Sequence, residues 1–168
     1  MKSNPVFATL IALSVAASAT AFAKISDDDS TGGDARVRRA LEQAELKYTV
    51  DDDGDFRLVF EEDGDRTQLV FVNSKTSTYK SMEVREVWSF GYRVDEDEII
   101  PRARLEALLQ KNSSYKVGAW GLSSNGRNVV FTIRIPADAD AEMLDDAARL
   151  ASETADELEL DWSGDDKL

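Results

Sequence analysis

An α+β fold, an antiparallel sheet with helices packed mainly on one face, is predicted by three features of the 168-residue sequence. Apolar residues recur at helical spacing near both ends and alternate with a period of two between them. Asp-Gly and Asn-Gly pairs punctuate the alternating stretches, as tight hairpins require. The last apolar stripe is long and needs a sheet to cover.

Taken in order, Val37, Ala40, Leu41 and Ala44 set a first helix from Asp34, with Arg36, Arg38, Arg39 and Glu42 on its other side. Tyr48-Thr49-Val50 is a short strand. Phe56, Leu58 and Phe60 then alternate with Arg57, Val59 and Glu61, and Leu69 and Phe71 alternate with Val70 and Val72. Asp53-Gly54 and Asp63-Gly64 offer the positive φ of two-residue turns, so the region reads as a meander. Residues 73–80 read as a polar loop. The strongest strand, residues 82–92, places Val84, Trp88, Phe90 and Tyr92 on one face and Arg85, Val87, Ser89 and Gly91 on the other.

Acids at 95–98 and Pro101 open a second helix with the stripe Leu105, Leu108 and Leu109. Asn112-Ser113-Ser114 stops it. Strands at 117–122 and 129–135 flank Asn125-Gly126, and Pro136 ends the second. Asp138 or Asp140 caps the final helix, whose stripe runs Leu144, Ala147, Ala148, Ala151, Ala155, Leu158 and Trp162.

Domain organisation follows from the ends. Met1 and Lys2 precede an apolar run at 6–17 and the A-x-A site Ala21-Phe22-Ala23, so residues 1–23 read as a signal peptide cleaved after Ala23. The run is shorter than the roughly 18 to 20 residues of a spanning helix. Residues 24–33 read as a flexible N-terminus, 34–162 as one domain and 163–168 as an acidic tail. The expectation is a periplasmic or secreted chain, without membrane insertion after cleavage.

Net charge is −13, and −14 once Lys2 leaves with the signal segment. Such acidity repels phosphate backbones and anionic lipid, so nucleic acid and membrane surfaces are not expected partners. The chain has no Cys and no His, which excludes disulfides, Cys/His zinc sites, thiol nucleophiles and imidazole triads. No cofactor is expected.

Asp51, Asp53 and Asp55 fall at positions one, three and five of an EF-hand loop, and Glu62 at twelve. Phe56 occupies the sixth position, where the sharp turn wants Gly, and strands flank the segment instead of helices. A structural turn is therefore the preferred reading, with a calcium-dependent module over residues 51–62 as the alternative. A carboxylate-pair hydrolase needs only two acids at a set separation. Among 33 acids some pair always qualifies, so the signal carries no information. Ser74-Lys75 and Lys80-Ser81 lack S-x-x-K spacing, and no catalytic residue is assigned.

What remains is surface. The second face of the predicted sheet carries Val59, Val70, Val72, Val87, Val130 and Thr132, interrupted by Arg57, Arg85 and Arg134. One reading is a second layer of the domain or ordinary β propensity. The other is a binding surface for a protein, a peptide or a second copy.

The segments YTVDDDGDFRLVF, EEDGDRTQLVFV, RLEALLQKNSSYKVGAWGL and VVFTIRIPADADAEMLDDAARLASETADEL resemble the YbjN-like family of the type III secretion chaperone-like superfamily, over about residues 34–160. The resemblance implies an α-β-β-β-α-β-β-α domain that often dimerises, binds proteins and serves sensory-transduction regulation. It offers no catalytic residues. Secretion chaperones act in the cytoplasm, whereas this chain starts with an export-type segment.

Overall fold

The computed structural model describes residues 32–95 and 98–164. The signal-peptide reading, most of the 24–33 segment, Glu96 and Asp97 of the acidic run, and residues 165–168 of the tail lie outside the described residues.

Asp34 caps the first helix, α1 (Ala35–Gln43), by accepting the Arg36 N–H at 2.7 Å. Strands β1 (Tyr48–Val50), β2 (Phe56–Glu62) and β3 (Arg66–Val72) form the expected meander. A short β4 (Ser77–Tyr79) pairs with the start of β5 (Met82–Arg93). Helix α2 (Arg102–Lys111) runs into a 3-10 turn, Asn112–Ser114. Then come β6 (Ala119–Leu122), β7 (Asn128–Pro136) and α3 (Ala141–Ser163). Asp140, one of the two expected caps, accepts the Met143 N–H at 2.9 Å, and Gly164 ends α3 in the left-handed region.

All strand pairs are antiparallel, in the order β1-β2-β3-β5-β7-β6 with β4 beside β5. Helix α3 lies across β2, β3, β5 and β7, with α1 packed against it. Its Ala147, Ala148, Ala151 and Ala155 are buried. Val37 and Leu41 of α1 and Leu108 of α2 join the same core as Phe56, Leu58, Val70, Val87 and Phe131. The molecule is therefore α+β with its helices on one face of a seven-stranded sheet. Among the described residues, no helix is long and apolar enough to cross a membrane.

Two expectations are corrected. Residues 73–80 are not all loop, because Ser77–Tyr79 form an exposed polar strand. The face assignment of β3 and β5 is also reversed. Glu62 pairs with Arg66, so the β2–β3 turn is Asp63, Gly64 and Asp65, with Gly64 at φ 79° and Asp65 at φ 61°. One residue beyond a two-residue turn shifts the register by one and turns every β3 side chain over. Phe56 and Leu58 thus sit beside Val72 and Val70, and Phe71 faces outward. In β5, Arg85, Val87, Ser89 and Gly91 face the helices, while Trp88 and Phe90 face away. A bulge between Phe90 and Tyr92 returns Tyr92 to the helix side, 5.1 Å from the Trp162 ring.

Candidate functional site

The helix-free face gathers the outward residues of β2, β3, β5 and β7. Phe71 and Trp88 are cross-strand partners, and their rings stack at 4.4 Å with a 13° interplanar angle. Phe90 stands edge-on to both, at 5.8 Å from Phe71 and 5.0 Å from Trp88. The Trp88 Nε1–H donates to Asn73 Oδ1 at 2.7 Å, which fixes the indole. The Arg93 guanidinium lies 4.7 Å from the Phe90 ring. All three rings remain partly open to solvent.

Around this cluster stand Val59, which is 60% exposed, and the half-buried Leu69, Val130 and Thr132. Arg57 and Arg134 are exposed, and Arg134 Nη2 donates to Glu86 Oε1 at 2.6 Å. Of the residues predicted to share one surface, Arg57, Val59, Val130 and Arg134 lie on this open face. Val70, Val72, Val87 and Arg85 do not, being buried beneath the helices. The sequence reading missed Phe71, Trp88 and Phe90 as surface residues. Their alternation was visible, but the turn length that decides their side was not.

Buried Arg85 has a different task. Its Nη1 donates to the carbonyls of Asn73 and Ser74, and its Nη2 to Asp34 Oδ2 and, at 3.4 Å, to Ala137 O. Arg36 binds Asp34 as well, with Nη2 to Oδ2 at 2.8 Å, and reaches Glu83 Oε1 at 3.0 Å. Burial alone would raise the Asp34 pKa. Hydrogen bonds from Arg36 and Arg85 outweigh it and bring the carboxyl from 3.8 to about 2. This hub joins the α1 cap, the 73–74 loop, β5 and the end of β7.

The acidic segment does not form an EF-hand. Asp51 Oδ1 accepts the N–H groups of Asp53 at 3.0 Å and Asp55 at 2.9 Å, and Asp55 Oδ1 accepts that of Ser74 at 2.6 Å. Burial pushes the Asp55 carboxyl up, and the charges of Asp51 and Asp53 add to that push. Glu62 lies at the far end of β2, roughly 20 Å along the strand from Phe56, and accepts the Ser152 hydroxyl of α3. Among the described residues, no group of three or more acids is placed to hold a metal ion. The loop acids cap their own turn.

Comparison with known families places the chain beside one of them over most of its described length. The model of the YbjN family, described as "Putative bacterial sensory transduction regulator", matches residues 34–160. No curated protein matches the chain.

Proposed function

Because the chain belongs to the YbjN family, we propose that it is an exported, non-enzymatic regulatory module that binds a protein or peptide through the helix-free face of its sheet. The carrying observation is the Phe71–Trp88–Phe90 cluster, three aromatic rings left partly open on a face no described helix covers. Aromatic groups offer large contact area at low entropic cost, and an anchored Trp is a favoured binding hot spot. The nearby Arg57, Arg93 and Arg134 add donors for a partner's carboxylates or carbonyls. The export component rests on the lysine-led apolar run and Ala21-Phe22-Ala23.

Capture from periplasmic extract on immobilised protein, with light scattering for mass, tests the reading. A specific partner should be retained by the native chain and lost with Val59→Asp or Trp88→Ala, while Val59→Asp leaves the melting temperature unchanged because that side chain is exposed. Recovery that is indifferent to both substitutions would move binding off this face. A monomer that retains no partner at all would remove the binding role.

A further inference from the structure

A second surface lies at the far edge of the sheet. Leu105 and Leu109 of α2 face Trp120, Gly121 and Leu122 of β6 across a groove of about 250 Å³. Leu109 is 68% exposed and Leu122 45% exposed, and Trp120 forms the buried floor.

Strand β6 ends the sheet here. Ser123 N–H donates to Asn128 O at 2.9 Å, so the alternation of antiparallel pairs turns the N–H and C=O groups of Trp120 and Leu122 outward. The Asn112 side chain occupies one rung: its Oδ1 accepts the Trp120 N–H at 2.7 Å, and its Nδ2–H donates to Trp120 O at 3.1 Å. An amide thus stands where a neighbouring strand's peptide group would. Among the described residues, no hydrogen bond closes the next rung, at Leu122. The edge can therefore pair with a short segment but not with a long strand.

Charge selects the occupant. Exposed Lys111 and Lys116 flank Asn112 in the sequence, next to the rung that it fills, whereas Arg102 is held by Glu106. A second copy docked through the same face would set these charges against themselves. An acidic partner is attracted instead. We infer that the α2–β6 groove binds a short extended protein segment with an apolar core and acidic flanks. Its apolar side chains fill the space between Leu105, Leu109 and Leu122, its backbone pairs with the Leu122 rung, and its acids meet Lys111 and Lys116.

Fluorescence anisotropy of the full chain tests this with a labelled peptide that has a leucine-valine-leucine core and aspartates on both sides. A peptide with the same core between lysines is the control. The aspartate peptide should bind and the lysine peptide should not. Leu109→Glu should weaken binding by at least roughly tenfold, as expected for losing one buried leucine contact. Joint Lys111→Glu and Lys116→Glu should reverse the flank preference. All three positions are exposed, so the fold is retained, which circular dichroism checks. Equal affinity for both peptides, no binding, or insensitivity to Leu109→Glu would each overturn the inference. So would a dimer abolished by Leu109→Glu, which gives the groove to a second copy, or cosedimentation with anionic vesicles lost in that variant, which gives it to lipid. Val59→Asp should leave peptide binding intact, so failure of the open-face reading and failure of this one are distinguishable.

Discussion

Asp34 and Arg85 show how one buried charge pair is tolerated in a domain without disulfides. Arg85 is 2% exposed, yet backbone carbonyls and the Asp34 carboxylate surround its donors. Arg85→Met would leave Asp34 with Arg36 but orphan the Asn73 and Ser74 carbonyls. The expected loss is about 3 kcal/mol, read from chemical denaturation. Asp34→Ser in the same background keeps a helix cap and removes a carboxylate whose burial Arg85 no longer offsets, so it should recover part of that loss. The pH dependence follows from the pKa directions. Asp34 is depressed in the fold, so its contribution, about 2 kcal/mol, is complete above 3.8 and is lost as pH falls through about 2. Asp55 is raised in the fold, so protonation favours the native state and mild acid adds stability before the Asp34 loss sets in. Unfolding free energy measured against pH should rise and then fall on acidification. Asp55→Asn should remove the rise, and Asp34→Asn should flatten the fall between 3.8 and 2.

At the scale of elements, helix α3 depends on small residues beneath it. A Cβ on Gly91 would lie 2.6 Å from the Trp120 ring and 2.9 Å from Leu158 Cδ2. Gly91→Ala should therefore cost about 1 to 3 kcal/mol and shift Trp emission as the indole is displaced. Asn112→Ala exposes the Trp120 rung of β6 and should cost about 1 to 2 kcal/mol. It should also tighten binding of the aspartate-flanked peptide, seen by anisotropy, because a longer strand edge becomes open to it. Element order was legible because periods of two and of three to four residues leave clear traces in short windows. The faces of β3 and β5 were not legible, since Asp63-Gly64 fits a two-residue turn as well as the observed three-residue one, and Asp65 at positive φ gives no prior signal. Strand β4 was hidden for a simpler reason: Ser77–Tyr79 is polar, exposed and too short to alternate. The binding face inherited the register error, so four of its nine predicted residues, Val70, Val72, Val87 and Arg85, were core and its aromatic centre was absent. Burial of Arg85 could not be foreseen either, because its partners come from residues as far as 52 positions away.

For the whole molecule, the governing quantity is charge: 33 acids against 20 Lys and Arg side chains, held without a disulfide. Self-repulsion of this size acts against the compact state and is screened by salt. Screening length falls from roughly 30 Å at 0.01 M to about 8 Å at 0.15 M ionic strength. The melting temperature should therefore rise over that range and level off above it, where most pairs of like charges already lie beyond the screening length. Calcium sharpens the test. Asp51 bonds within its own turn, Asp55 holds the Ser74 N–H, and Glu62 bonds to α3, so these acids share no cavity for a cation. Sodium, magnesium and calcium chlorides compared at equal ionic strength should give superimposable melting curves. A rise specific to calcium would mean that the segment rearranges to coordinate the ion, at the cost of the Ser74 and Ser152 hydrogen bonds that now hold the β2 ends in place.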